Sequence, residues 1–194
     1  MNTPLILASS SPFRQQILKK LGLIFEHFSP DIDESPIAGE TPLELVKRLS
    51  DVKARSALSR YNKGLVIGSD QVAVFNNQIL GKPHTKENAI AQLSMFSGQT
   101  VTFYTGLSLY SIEENKSITK VVPFHVHFRH LSQSQISNYL DKEAPYNCAG
   151  SFKSEGLGIC LFERLEGEDP NTLIGLPLIE LTKSLADFGI DVLG

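Results

Sequence analysis

The sequence predicts an α/β protein, and three observations carry that expectation. Short apolar runs, Leu5-Ile6-Leu7-Ala8 and residues 65–75, have the length and continuity of buried strands. Amphipathic segments with recognisable caps lie between such runs. Two longer runs, residues 101–110 and 118–129, flank the polar turn Glu113-Glu114-Asn115-Lys116 and read as an outgoing and a returning strand.

In order, Leu5 to Ala8 is a strand that leads through Ser9-Ser10-Ser11-Pro12 into a helix. Ile17, Leu18 and Leu21 are spaced for one buried face of that helix, and Pro12 suits its first turn. A strand entering a helix through three hydroxyls presents free N–H groups and a positive dipole end to an anion. Arg14 in the first turn adds a charged fork for phosphate oxygens. The same residues also make an ordinary serine-capped helix. Phe25 and Phe28 suggest a second strand. The loop Pro30-Asp31-Ile32-Asp33-Glu34-Ser35-Pro36 offers three carboxylates, hard ligands for Mg²⁺ or simply a solvated turn. Thr41-Pro42-Leu43-Glu44 is a capping box that opens a helix expected to run to about Tyr61 and to carry Lys53.

Residues 65–83 read as two strands around an Asn76-Asn77 turn, with Asp70 interrupting the first apolar run and Lys82 closing the second. A charge buried in such a run is costly unless paired or metal-bound. Asp70 and Lys82 are therefore either cleft residues acting on water, metal and an anion, or a structural ion pair. Gly68 allows a bend or a close backbone approach.

Thr85 caps the next helix, which Ser97-Gly98 ends. Along 118–129, Val122, Phe124, Val126 and Phe128 alternate with His125 and His127, which are assigned to the wet face. Ser132 and Gln135 form a second capping box. Residues 146–158 form a polar, glycine-rich loop of the kind usually tied to function. Residues 159–165 are expected as a strand, Thr172-Leu173-Ile174 as a short extended piece, and a last helix follows Gly175-Leu176-Pro177.

The chain has 194 residues, enough for a sizeable core in one domain or two small lobes. A formal charge of −3 supplies no basic field for wrapping a nucleic acid, whereas a small anion needs only local positive charge. Two cysteines, Cys148 and Cys160, make neither a zinc pattern nor a disulfide framework and suit a reducing compartment. No basic segment followed by a long apolar run opens the chain, and no stretch is apolar enough to span a bilayer. A soluble, cytoplasmic protein is expected.

An ordered series of motifs resembles the Maf-like nucleotide pyrophosphatases: Leu7-Ala8-Ser9-Ser10-Ser11-Pro12-Phe13-Arg14, Asp33-Glu34, Lys53-Ala54, Gly68-Ser69-Asp70, Gly81-Lys82-Pro83, Ser97-Gly98, Tyr104-Thr105-Gly106, Ala149-Gly150 and Gly175-Leu176-Pro177-Leu178. The resemblance runs over nearly the whole chain. It implies one domain over residues 1–194, with two mixed-sheet lobes around a deep central cleft, similar to the inosine triphosphate pyrophosphatases. It implies hydrolysis of a nucleoside triphosphate between the α and β phosphates, with a divalent cation, Mg²⁺ or Mn²⁺, as cofactor. By motif, Ser9, Ser11 and Arg14 resemble the phosphate cradle, and Glu34, Lys53 and Lys82 the charged cleft wall. Asp70 resembles the proton acceptor, with Asp70 and Glu34 as metal ligands.

Phe13 and Gln71, and Glu155 in Ala149-Gly150-Ser151-Phe152-Lys153-Ser154-Glu155-Gly156, depart from the commonest family pattern. They resemble the branch that acts on 7-methyl-GTP, which implies a role for all three in substrate choice. The chemistry agrees, since N7-methylation leaves guanine cationic, an aromatic face such as Phe13 attracts a cation, and Glu155 could accept both N–H groups of the Watson–Crick edge. The alternatives are a dTTP or UTP pyrophosphatase of the same family, a non-catalytic nucleotide-binding regulator of cell division, and a serine hydrolase built on Ser9, Ser11 or Ser69. No Gly-x-Ser-x-Gly elbow supports the last. The expected partner is a small nucleotide, with no nucleic acid polymer or membrane; a homodimer is admissible, and nothing in the sequence marks its interface.

Overall fold

Four consecutive apolar residues make β1 (Leu5–Ala8), and all four are buried. It pairs in parallel with β2 (Glu26–Phe28) on one side and with β3 (Leu65–Phe75) on the other, Leu5 opposite Leu65 and Ala8 opposite Gly68. Parallel neighbours require crossovers, and the two amphipathic segments supply them: α1 (Pro12–Lys19) and α2 (Pro42–Arg55). The structure, a computed structural model, describes residues 3–194. Its strands, with β4 (Gln78–Leu80), β5 (Thr100–Ser111), β6 (Lys116–Phe128) and β7 (Phe162–Glu166), form a seven-stranded mixed sheet among the described residues. The order is β2-β1-β3-β5-β6-β7, with β4 paired to β3. The expected α/β class is borne out.

By its internal contacts the chain divides into two compact units, Met1–Gln71 with Thr105–Val122 and Asp169–Gly194, and Val72–Tyr104 with Pro123–Glu168. In the first, the period-2 alternation of β1 and β3 sorts side chains to two faces. Leu5, Leu7, Leu65 and Ile67 pack with Ile17 and Leu18 of α1 and with Leu181 and Leu185 of α6 (Leu178–Ala186). Ile6, Ala8 and Val66 pack with Ala54 of α2, Ala57 and Phe28. This alternation, continued along β3, decides which way Ser69 and Asp70 point.

In the second unit, Asn76 (φ 49°) and Asn77 (φ 62°) form the left-handed two-residue turn that joins β3 to β4, with Phe75 opposite Gln78. The core of this unit is aromatic. Phe75, Phe96, Phe103, Phe128, Phe152 and Phe162 meet at ring-centroid distances of 4.9–5.7 Å, mostly edge to face. Phe96 comes from α3 (Lys86–Phe96), and Phe152 anchors the late loop that follows α4 (Gln133–Glu143). On β6, Phe124, Val126 and Phe128 are buried, while His125 and His127 bond the hydroxyls of Thr102 and Thr100.

Both capping boxes, Thr41 with Glu44 and Ser132 with Gln135, form as expected. Three expectations need correction. The helix from Thr41 ends at Arg55 and tightens into a 3-10 turn over Ser56–Ser59. Residues 159–161 belong to a 3-10 turn, Leu157–Leu161, so the strand begins at Phe162. Asn171–Ile174 is a single helical turn, α5, and not an extended piece, because Asp169 accepts the Asn171 N–H at its side chain (2.8 Å) and the Thr172 N–H at its carbonyl (3.0 Å). Among the described residues no helix is long and apolar enough to cross a membrane.

Candidate active site

The first unit brings a helix into backbone contact with the sheet. A methyl group at Gly68 of β3 would overlap the Ser50 carbonyl and the Ala54 amide of α2, and one at Gly106 of β5 would overlap the Val46 carbonyl. The backbone at Gly68 is ordinary, so the residue is required for space. With α2 this close, the next β3 side chain on that face, Asp70, meets Lys53. The Lys53 ammonium lies 2.6 Å from Asp70 Oδ1 and 2.9 Å from Glu34 Oε1. Lys53 and Asp70 are buried, whereas the Glu34 side chain is 58% exposed. The hydroxyl of Ser50 accepts the Asp70 backbone N–H (3.0 Å) and donates to the Val46 carbonyl (2.6 Å), tying strand to helix beside the carboxylate. Two carboxylates around one ammonium leave a net negative charge. Each carboxylate also keeps one oxygen free of Lys53.

On the opposite face of β3, Ser69 donates to the Gly175 carbonyl (2.9 Å), and Arg14 Nε donates to that same oxygen (2.8 Å). Gly175 has φ +119°, where side chains are disfavoured, and a Cβ there would sit 3.3 Å from Arg14 Nε. One carbonyl thus links the first, fourth and last motifs of the sequence. Ser11 caps α1 by accepting the Arg14 N–H (3.4 Å), and the buried Ser9 hydroxyl accepts the Ser11 N–H (3.2 Å). Ser9, Ser11 and Arg14 therefore come together at the start of α1. Burial lowers the Arg14 pKa from its ordinary value, and the charges of Asp70 and then Glu34 oppose that shift. Phe13, one residue before Arg14, is partly exposed.

Gln71 is turned inward at its nitrogen. Nε2 donates to Thr105 Oγ1 (2.8 Å) and to the carbonyls of Thr172 (2.9 Å) and Leu173 (3.2 Å). Its carbonyl oxygen is the atom left for a ligand.

Lys82 and Glu155 belong to the second unit, and both are exposed. The backbone around Lys82 is held by α3: Gln92 donates to the Gly81 carbonyl (3.0 Å) and Asn88 to the Pro83 carbonyl (2.9 Å). Glu155 stands between two braced neighbours. The Lys153 N–H bonds the Tyr139 hydroxyl (3.2 Å), and the Leu157 N–H bonds Glu143 Oε2 (2.9 Å). A Cβ at Gly156 would press on that Glu143 carboxylate.

Sequence reading missed Ser50, the Gly175 carbonyl and Glu143. Ser50 and Lys53 lie three apart on one helical face, a spacing that could have paired them. A carbonyl acting as an acceptor leaves no trace in a side-chain pattern.

Residues 4–188 match the family model described as Maf-like protein. Three curated relatives are similar over nearly their whole length. The 7-methyl-GTP pyrophosphatase of Pseudoalteromonas translucida is 64% identical over 193 residues, covering 100% of this chain and 96% of that one. Its counterpart in Colwellia psychrerythraea is 59% identical, over 97% and 94% of the two chains. That of Vibrio vulnificus is 57% identical, over 100% and 99%. Two solved structures share the fold: a HAM1 protein from Coxiella burnetii (TM-score 0.53, 14% identity, 96% of this chain and 100% of that one) and the Ham1 protein of Staphylococcus aureus (TM-score 0.51, 15% identity, 97% and 100%).

Proposed function

The chain belongs to the Maf-like protein family, and from that footing we propose that it hydrolyses the α–β phosphoanhydride of 7-methyl-GTP, releasing the monophosphate and pyrophosphate. The substrate rests on the relatives at 57–64% identity, whose names carry it. The single observation that carries the chemistry is the Asp70–Lys53–Glu34 cluster, a buried carboxylate oriented by a buried ammonium on rigid elements.

Phosphoryl transfer asks a protein to align water and to neutralise charge. Asp70, held at Oδ1 by Lys53, accepts at its other oxygen a proton from the water that attacks the α-phosphorus. The bond from that phosphorus to the β-bridging oxygen breaks, and pyrophosphate leaves with the electron pair. Lys53 donates one of its three N–H groups to Asp70 and pairs in charge with Glu34 at 2.9 Å. Its remaining donors, together with Arg14, neutralise the phosphates, and the motif resemblance at Gly81-Lys82-Pro83 implies the same role for Lys82. The Phe13 N–H in the first turn of α1 adds to this cradle, since Pro12 has no N–H and the Ser9 and Ser11 hydroxyls already accept those of Ser11 and Arg14. The free carboxylate oxygens of Asp70 and Glu34 fit Mg²⁺ or Mn²⁺, because Mg²⁺ is commonly bound by one or two carboxylates plus substrate phosphates. A cation there would supply positive charge to the triphosphate oxygens.

Phe13 offers an aromatic face to the cationic base, Glu155 accepts from its Watson–Crick edge, and Gln71 contributes through its carbonyl oxygen. With both cysteines free, a cytoplasmic setting fits this reading. The test is pyrophosphate release from 7-methyl-GTP, GTP, UTP and dTTP with Mg²⁺ or Mn²⁺, and 7-methyl-GTP is expected to be fastest. Preference for UTP or dTTP would move the chain to the pyrimidine branch. Binding without release would make it a non-catalytic regulator.

A further inference from the structure

Glu34 lies in residues 29–41, a segment between β2 and α2 with no regular structure beyond a turn at Ala38-Gly39. An exposed side chain on thirteen irregular residues has no reason to stay at Lys53 unless its backbone is held. The hold comes from α2. Arg48 grips Glu40 as a two-pronged fork, Nε to Oε1 at 2.6 Å and Nη2 to Oε2 at 2.8 Å. The same Nη2 donates to the carbonyl of Ser35, the residue after Glu34, at 3.0 Å. Glu40 Oε2 in turn accepts the Ile37 N–H (3.1 Å), and Asp33 Oδ1 accepts the Ser35 N–H (2.9 Å). Arg48 and Lys53 project from one helix, itself seated against the sheet at Gly68 and Gly106. That helix therefore sets both the ammonium and the backbone that delivers the second carboxylate to it.

We propose that Arg48 and Glu40 are positioning residues that set Glu34 against Lys53 and Asp70 without touching the substrate. The effect on turnover rests on the catalytic role given to that cluster above; the effect on the loop does not. A planar fork matches a carboxylate at two points and still reaches a carbonyl, which a lysine cannot reproduce. The pair is part-buried, its Arg48 and Glu40 side chains 26% and 8% exposed, so removing it costs some stability as well, whereas only a positioning role depends on Glu34 being present. A positioning role and a merely stabilising one therefore differ in what they move.

The experiment compares Glu34→Gln, Arg48→Ala, Arg48→Lys and the double variant Glu34→Gln/Arg48→Ala in the full chain. It measures kcat for 7-methyl-GTP, thermal midpoint, and amide exchange at Ser35 and Ile37. Arg48→Ala should lower kcat roughly 10-fold or more, since a misplacement of about 1 Å can cost ~10²-fold. The melting temperature should fall alike in Arg48→Ala and in the double variant, so loss of stability is read separately from the rate. Arg48→Lys should recover only part of the rate, and the double variant should be no slower than Glu34→Gln alone. Exchange at Ser35 and Ile37 should quicken in Arg48→Ala and stay unchanged in Glu34→Gln. Multiplying rate losses in the double variant, or unchanged exchange in Arg48→Ala, would overturn the proposal. If the wild-type protein released no pyrophosphate from any triphosphate, the functional reading would fail, and exchange would still uphold or overturn the clamp.

Discussion

Asp70 and Glu155 are two carboxylates held in opposite ways. Asp70 is 7% exposed, stands on a buried strand, and has Lys53 on its side chain and Ser50 on its backbone. Glu155 is exposed on a loop, and its own bond is a long one from its neighbour Ser154 (3.4 Å). What is rigid near Glu155 is the backbone on either side, braced by Tyr139 and Glu143. A group that must meet a reacting atom is built on strand and helix, where packing removes its freedom. A group that reads a ligand edge can sit on a loop, provided the loop is anchored.

Substitutions can break this contrast. Asp70→Asn keeps the shape and removes the proposed proton acceptor. Turnover should fall by roughly 10²–10⁴-fold or more while circular dichroism stays native, and near-normal pyrophosphate release would refute the role of Asp70. Lys53→Met strands a buried carboxylate. It should cost about 3–5 kcal/mol in urea unfolding, beyond its effect on rate. Glu155→Gln should leave stability within about 0.5 kcal/mol. It should shift the 7-methyl-GTP to GTP ratio of kcat/KM by ~10-fold, the worth of about 1.4 kcal/mol. An unchanged ratio would leave Glu155 a surface charge.

A fourth prediction sharpens the comparison on the acid side. Hydrogen bonding from Arg48 holds the Glu40 carboxyl below its ordinary value of 4.5. The folded pKa is therefore lower than the unfolded one. The pair's contribution is complete above about pH 4.5 and is lost as pH falls through the lowered folded value. An NMR titration should find Glu40 below the carboxylate norm in the wild type and back at that norm in Arg48→Ala.

Much of the architecture was legible in local pattern. Apolar runs became β1 and β3, both capping boxes formed, and Asn76-Asn77 made the turn. The misses lie where local pattern is silent. The short run Thr172-Leu173-Ile174 suits a strand or a helical turn equally, and the side chain of Asp169, from just before the segment, chooses the turn. Gly68 was read as a bend or a close approach, and the contact with α2 selects the second. Resemblance gives Gln71 a role in substrate choice, and only the fold shows that its nitrogen is bonded to Thr105 and the α5 turn.

Which residues can carry charge, which face of each strand they occupy and how the helices begin all follow from the order of amino acids, because they depend on neighbours a few positions away. That the ammonium at Asp70 in the first unit is Lys53, that Glu34 completes the group, and that one glycine carbonyl holds Ser69 and Arg14 follow from long-range packing alone. Those choices turn on how closely α2 approaches the sheet and where residue 175 returns to β3. Packing sets both distances, and no local pattern encodes them.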